Sequence, residues 1–253
     1  MIRPDHKKYL AFFDILGFEA LYNEIGIEEI IIKYEEFISL VSKMEKEAGC
    51  CLVNAGGMQM SIMMSIPINY GYFSDTILFW VDADKAPTQV QLINLMEEVL
   101  CRSIELGMPL RGSLNAEVTH FDKEKGIFLG KSLICGARAE SAQKWIGATL
   151  SNSYFSSGAA IDVEKVLPYN KHIKPDKKEF VTNFVIDFPK HWRKTRKEDL
   201  ITEINRLNKK LEYSIIYENT IDFCRFSEDM ENKKWWDTSD FDEIIHPFKR
   251  ITN

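Results

Sequence analysis

The stretch Tyr9-Leu-Ala-Phe-Phe-Asp14-Ile-Leu-Gly-Phe18 sets an aspartate into a run of strand-forming residues, and Tyr72-Phe-Ser-Asp75-Thr-Ile-Leu-Phe-Trp80 repeats the arrangement. A carboxylate in such surroundings costs free energy unless a cation or hydrogen-bond donors meet it. Two carboxylates brought together repel each other, and a shared divalent cation relieves that repulsion. Each aspartate alone also fits a strand-end residue that caps a turn. Neither one by itself therefore identifies a site.

The spacing of apolar residues predicts the elements around these two runs. Strands are expected at residues 10–14, 72–81, 110–121 and 148–151, helices at 27–47, 88–106 and from Gly130 to about Ile146, and a hairpin-like break at Asn54-Ala-Gly-Gly57. The order β-α-β-β-α-β predicts an α+β fold with a ferredoxin-like core, in which an antiparallel sheet carries helices on one face.

This topology predicts where the two aspartates lie. The first strand and the second strand of the hairpin are central neighbours in such a sheet, and they run in opposite directions. Asp14 closes the first strand, and Asp75 lies at the turn entering the strand that begins near Tyr72. Because the end of one strand then lies beside the start of the other, we expect both carboxylates at one edge of the sheet. That convergence predicts a metal site.

The composition changes after Pro189, which divides the chain into a core of residues 1–189 and a C-terminal extension of residues 190–253. Within the extension, a charged segment with an apolar stripe predicts one long helix from Lys197 to about Met230. We expect this helix to pack on the core or on a second subunit. The end of the chain is aromatic and is expected to be irregular.

Charge and motif content exclude several functional classes. The formal net charge of −6 argues against general nucleic-acid binding. The N-terminus lacks a signal-peptide core and no apolar run approaches about 18 residues, so we expect a cytoplasmic protein without a membrane partner. Five cysteines without a CxxC pair argue against a disulfide framework and structural zinc. No GxxxxGK[ST] loop or GxSxG elbow is present.

Several segments, in chain order over about residues 7–155, resemble the catalytic domain of class III nucleotide cyclases. They correspond to the first metal-binding strand, the hairpin with the second metal aspartate, the following strand, the helix with an Ala-Arg-x-Glu motif, and a short final strand: Phe13-Asp-Ile-Leu-Gly-Phe18, Phe73-Ser-Asp-Thr-Ile-Leu78, Arg111-Gly-Ser-Leu-Asn-Ala-Glu-Val118, Gly130-Lys-Ser-Leu-Ile-Cys-Gly-Ala-Arg-Ala-Glu-Ser141 and Ala148-Thr-Leu-Ser151.

The resemblance implies roles for particular residues. Asp14, Asp75 and the backbone carbonyl of Ile15 would hold two Mg²⁺ or Mn²⁺ ions, which activate the ribose 3′-hydroxyl and clamp the triphosphate of a nucleoside triphosphate. Arg138 would stabilise charge that develops on the phosphoryl oxygens. In the family, metals and arginine come from different subunits of a homodimer. Arg138 also fits an exposed helix residue paired with Glu140 or solvent.

Three positions depart from the pattern of that family. Ile134 replaces a ribose-orienting Asn. Gly71 and Ile127 occupy the base-selecting positions of purine cyclases, and neither offers the hydrogen bonds that read adenine or guanine. In this respect the chain is most similar to the pyrimidine cyclases of bacterial Pycsar antiphage systems. That similarity implies conversion of UTP or CTP to cyclic UMP or cyclic CMP. A purine cyclase with unusual base contacts and an inactive cyclase-like binding module are the alternatives.

Four further residues are candidate substrate contacts. Arg111 is expected near the triphosphate or base, Tyr70 and Tyr72 near the base, and Lys131, at a helix start, near a phosphate. Each has a structural alternative: a partly buried arginine, tyrosines that pack the hairpin, and a solvated helix lysine.

Overall fold

The computed structural model describes residues 7–47, 51–55, 58–62, 67–83, 88–159, 161–207, 213–237 and 250–251. The strands are β1 Lys7–Ile15, β2 Cys51–Ala55, β3 Met58–Ile62, β4 Asn69–Phe73, β5 Thr76–Asp82, β6 Leu110–Asp122, β7 Ile127–Gly130, β8 Gly147–Leu150, β9 Ile161–Asp162, β10 Val166–Pro168, β11 Phe184–Ile186 and β12 Arg250–Ile251. The α-helices are α1 Phe18–Glu47, α2 Thr88–Glu105, α3 Lys131–Ser141, α4 Asn152–Ser156, α5 Phe188–Thr195, α6 Leu200–Leu207 and α7 Ser214–Met230.

The main sheet has the strand order β10-β11-β8-β6-β1-β5-β4, and β7 pairs with β6. Its part β6-β1-β5-β4 is antiparallel throughout and has the ferredoxin-like order, while β8 joins β6 in parallel. The predicted α+β class with an open, mostly antiparallel sheet is therefore confirmed. The strands β2 and β3 form a separate antiparallel pair, which agrees with the expected hairpin; residues 56–57 lie outside the described residues.

The prediction of a single strand over residues 72–81 is wrong. The chain turns at Ser74 and Asp75, and Phe73 pairs directly with Thr76 across the resulting hairpin. Ser74 adopts a positive φ of 53°, a conformation that is uncommon for residues other than glycine. Apolar residues continue on both sides of the turn, and this continuity conceals the reversal in the sequence.

Helices cover both faces of the sheet. The prediction that helices lie on only one face is therefore wrong. Phe13 and Phe79 belong to the large core that includes residues of α1 and α2, whereas Phe12 packs on the opposite face. There α3 lies so close that a Cβ at Gly136 would be 2.7 Å from the Phe12 ring. The physical reason is that β1 carries apolar side chains on both of its faces.

The helix predicted from Gly130 to about Ile146 is shorter in the structure. A strand, β7, ends at Gly130, and α3 then runs only to Ser141. The side chain of Gln143 donates hydrogen bonds to the carbonyl oxygens of Gly112 (2.9 Å) and Ala139 (2.8 Å), which fixes the chain against β6.

The C-terminal region contains separate helices, so the single helix predicted from Lys197 is wrong. The helices α6 and α7 pack against each other and against α5, which packs on α2. Trp192, Ile204 and Phe223 from these three helices are buried in the same core as the sheet. Among the described residues, no helix combines the length and apolar character needed to cross a membrane.

Candidate metal and nucleotide site

Asp14 and Asp75 lie at the same edge of the sheet. Asp14 is at the end of β1, opposite Thr76 of β5. The next residue, Ile15, is buried, and its backbone N–H donates a hydrogen bond to the carbonyl oxygen of Asp75 at 2.9 Å. The antiparallel register thus brings together the two aspartates that the sequence singled out, with Ile15 between them.

The turn that carries Asp75 is held by a residue of α1. The Tyr34 hydroxyl donates a hydrogen bond to the Ser74 carbonyl at 2.6 Å, and the Tyr34 ring packs edge-on against Tyr72 at 5.0 Å. Burial, followed by the negative charges of Asp75 and Asp14, raises the pKa of the Tyr34 hydroxyl well above its usual range. Tyr34 therefore remains a neutral donor that fixes the turn.

Arg111 faces the site from β6, directly opposite Asp14. Its guanidinium forms a salt bridge with Glu140 of α3 and donates a hydrogen bond to the Gln143 carbonyl at 2.9 Å. The distance from its NH2 nitrogen to Asp14 Oδ2 is 3.8 Å. Arg111 thus lies beside the candidate metal residues, but most of its hydrogen-bonding capacity is used within the chain.

The electrostatic balance around Asp14 is negative. Burial is the largest cause that raises the pKa of its carboxyl, followed by the charge of Glu140; Asp75 adds to the increase, and Arg111 opposes it. The result is a pKa well above the usual range for an aspartate. The charges of Glu140 and Asp75 thus outweigh that of Arg111 at Asp14, and a cation would relieve this imbalance.

The donor atoms fit a hard divalent cation. Aspartate carboxylates and a backbone carbonyl are the oxygen ligands that Mg²⁺ and Mn²⁺ prefer. Within the described parts of the chain, no group of three or more His, Cys, Asp or Glu residues has metal-binding geometry, so Asp14 and Asp75 stand as a pair. A pair of carboxylates with substrate phosphates is a common arrangement for Mg²⁺.

Arg138 is exposed on α3, with its guanidinium 5.6 Å from the centre of the Phe180 ring. The alternative pairing with Glu140 does not occur, because Glu140 binds Arg111. Residues two positions apart in an α-helix are separated by about 200° around its axis, so the side chains of Arg138 and Glu140 point in nearly opposite directions. Glu140 is buried toward Asp14, and Arg138 therefore points away from the Asp14 of its own chain.

The remaining candidates lie on different sides of the sheet. Lys131 is exposed at the start of α3, on the side of Arg138. Tyr70 and Tyr72 pack against the large core on the opposite side, toward α1. The Tyr72 hydroxyl is buried without a hydrogen-bond partner in the described part of the chain. Gly71 lies on the α3 side, where a Cβ would contact Phe128 and Trp80 at 3.5 Å.

Sequence reasoning missed Tyr34, Gln143 and the inward-facing role of Glu140. The pattern in α3 could have indicated Glu140, because Gly136, Ala139 and Glu140 share one helix face and all three are buried. Tyr34 offered no such pattern, since its function depends on the position of a distant turn.

No family profile and no curated protein matches the chain. Similar solved structures include the adenylyl cyclase CyaB from P. aeruginosa, with 14% identity and a TM-score of 0.39 over 60% of this chain and 79% of that one. A bacterial light-regulated adenylyl cyclase has 12% identity and a TM-score of 0.49 over 83% of this chain and 59% of that one. The guanylyl cyclase Cya2 has 13% identity and a TM-score of 0.43 over 73% of this chain and 92% of that one. Similarity at this level assigns neither a family nor an activity.

Proposed function

We propose that this protein is a class III-like nucleotide cyclase, which converts a nucleoside triphosphate to its 3′,5′-cyclic monophosphate and pyrophosphate. The observation that carries the proposal is the convergence of Asp14 and Asp75, joined through the 2.9 Å hydrogen bond from Ile15 to the Asp75 carbonyl. Their spacing in the sequence, the sheet register and the surplus of negative charge all agree with a two-cation site.

The two aspartates and the Ile15 carbonyl would hold Mg²⁺ or Mn²⁺. Bound there, the cations would lower the pKa of the ribose 3′-hydroxyl and neutralise the triphosphate. Immediately after this site in the chain, α1 begins at Phe18. It is preceded by Gly17, which has a positive φ of 72°. The free N–H groups at the start of a helix favour phosphate oxygens. The start of α1 therefore suits the triphosphate.

The arginine would come from a second copy of the chain. Arg138 points away from its own Asp14, which suits action on the site of a partner. Near it, α3 exposes 54% of Ile134, and β7, which leads into α3, exposes 63% of Leu129. Apolar exposure beside a charged functional residue favours an interface. A two-fold symmetric homodimer would then contain two shared sites.

A pyrimidine base is the proposed substrate feature, with UTP or CTP yielding cyclic UMP or cyclic CMP as a second messenger in antiphage defence. Its support is the chemistry of Gly71 and Ile127, which lack the polar groups that would read a purine. Glycine at position 71 also leaves the ring of Phe128 beside the backbone.

The test is incubation of the protein with each of the four nucleoside triphosphates and Mn²⁺, followed by mass spectrometry of the product. A cyclic pyrimidine monophosphate that is absent with Asp75→Asn is the expected result. A cyclic purine product would support the cyclase activity but show that the substrate is a purine nucleotide. No pyrophosphate from any nucleotide, with folded protein, would reject the cyclase in favour of a binding module.

A further inference from the structure

Building on the proposed function, we propose that Glu140 is a positioning residue, which holds the Arg111 guanidinium against α3 and thereby leaves the Asp14 carboxylate available to a cation. Asp14 and Arg111 are direct cross-strand partners in the β1–β6 register. An oppositely charged pair in that position would ordinarily bond to each other. In this site, the guanidinium is instead turned toward Glu140 and the Gln143 carbonyl.

The contacts of Arg111 show that its guanidinium bonds to the α3 side and not to Asp14. Its Nε and NH2 atoms face Glu140, and NH1 donates to the Gln143 carbonyl at 2.9 Å, whereas NH2 and Asp14 Oδ2 are 3.8 Å apart. The side chains of Arg111 and Glu140 are only 15% and 11% exposed. Because little water reaches the guanidinium, it must bond to the protein groups around it.

The acceptors on the α3 side are held in place. The Gln143 side chain donates to the carbonyl oxygens of Gly112 (2.9 Å) and Ala139 (2.8 Å) and accepts a hydrogen bond from the Trp145 indole N–H at 2.7 Å. These bonds fix the backbone of Gln143, whose carbonyl receives Arg111. The position of the guanidinium is thus set by α3 and the segment that follows it, away from the metal residues.

Without Glu140, Asp14 would be the nearest carboxylate for Arg111. A guanidinium bonded to a carboxylate occupies its lone pairs and cancels its charge, so the cation and Arg111 would compete for Asp14. Glu140→Gln preserves the shape but removes the charge. We expect this variant to bind Mn²⁺ at least about tenfold more weakly than wild type, a loss typical of residues that orient metal ligands.

A double variant separates positioning from direct ligation. Arg111→Met/Glu140→Gln removes the competing guanidinium together with its restraint, so neither member of the Arg111–Glu140 pair is left without its partner. If Glu140 acts by restraining Arg111, the double variant recovers Mn²⁺ affinity to within about threefold of wild type. If Glu140 is itself a cation ligand, which its closeness to Asp14 allows, the double variant binds as weakly as the single one.

The experiment is a Mn²⁺ titration without nucleotide, followed by electron paramagnetic resonance of free Mn²⁺, with thermal unfolding of each variant measured in parallel. Glu164→Gln, which breaks the Lys190 pair elsewhere, is the matched control and should bind Mn²⁺ as wild type does. Wild-type affinity in a folded Glu140→Gln variant, or weak binding by the double variant, overturns the proposal. If Glu140→Gln does not fold, the double variant alone decides.

The same titration distinguishes failure of the proposed function from failure of the positioning role of Glu140. Absence of saturable Mn²⁺ binding by the wild-type protein would reject the metal site, and the positioning role with it. Wild-type binding that is lost in Asp75→Asn but unchanged in Glu140→Gln would retain the metal site and reject only the role of Glu140.

Discussion

The backbone N–H of Ile15 donates a hydrogen bond to the carbonyl oxygen of Asp75 at 2.9 Å, and this bond joins the end of β1 to the turn between β4 and β5. Because it belongs to the backbone, the spacing between Asp14 and Asp75 does not depend on the conformation of a long side chain. Tyr34 holds the same turn from α1 through the Ser74 carbonyl. The candidate metal residues are therefore presented by rigid elements, as cation sites require.

Replacing either aspartate should remove cation binding without unfolding the protein. Asp14→Asn relieves the repulsion from Glu140 and Asp75, so the variant should be at least as stable as wild type. We expect turnover to fall at least about a hundredfold, since cations contribute several kcal/mol to phosphoryl transfer. Thermal unfolding with and without Mn²⁺ checks this: the cation should raise the Tm of wild type but not of Asp14→Asn or Asp75→Asn.

The control for that experiment is Asp122→Asn, whose partner Lys125 lies in the turn after β6. It should respond to Mn²⁺ as wild type does. A normal Mn²⁺ response in folded Asp75→Asn would contradict the assignment.

The close approach of α3 to the sheet should make Gly136 intolerant of a side chain. A Cβ there would lie 2.7 Å from the Phe12 ring, and the buried ring has little freedom to move. We expect Gly136→Ala to lower the free energy of unfolding by about 1–3 kcal/mol, the usual cost of overpacking. Urea unfolding measures the loss, and Ala137→Ser on the exposed face of the same helix is the control. Equal stability of Gly136→Ala and wild type would show that α3 is not packed this tightly.

The pairing of Glu98 joins the C-terminal helices to the core and should depend on pH. Burial by itself raises the pKa of the Glu98 carboxyl, but hydrogen bonds from His191 and Arg196 outweigh it and lower that pKa to about 2. Because the folded pKa is below the ordinary value of 4.5, the stabilisation is present above about pH 4.5 and is lost as the pH falls toward 2.

We therefore expect Glu98→Gln to be less stable than wild type by about 1–3 kcal/mol at neutral pH, with a smaller difference as the pH approaches about 3. Urea unfolding across this range provides the measurement. Asp222→Asn, which breaks an exposed pair with Arg225, should change stability by less than about 0.5 kcal/mol. A difference for Glu98→Gln that does not vary with pH would exclude the charged pair as its cause.

The sequence was sufficient to predict the convergence of Asp14 and Asp75, because antiparallel pairing follows from the order of elements. It was not sufficient to predict that the chain reverses at Ser74 and Asp75. Both residue types are common in turns, but the apolar residues on either side continue as they would in one strand. The second covered face of the sheet was visible in principle, since Phe12 and Phe13 are adjacent apolar residues that point to opposite faces of β1.

The contact between Arg111 and Glu140 could not be predicted in the same way. It depends on the register of β6 against β1 and on the rotation of α3 about its axis, and both are set by tertiary packing. The small residues Gly136 and Ala139 could have indicated that Glu140 faces inward, since they share its helix face and are buried with it, but they do not indicate that its partner is Arg111.

The most direct test of a site shared between two copies of the chain is to mix the Asp14→Asn variant with the Arg138→Ala variant and measure the rate of cyclic nucleotide formation. Each variant alone should be inactive. After subunit exchange, half of the dimers would be hybrids with one intact site of two, so the mixture should reach about a quarter of the wild-type rate. No recovery after exchange has been verified by native mass spectrometry, or full activity of Arg138→Ala alone, would contradict a site shared between two copies of the chain.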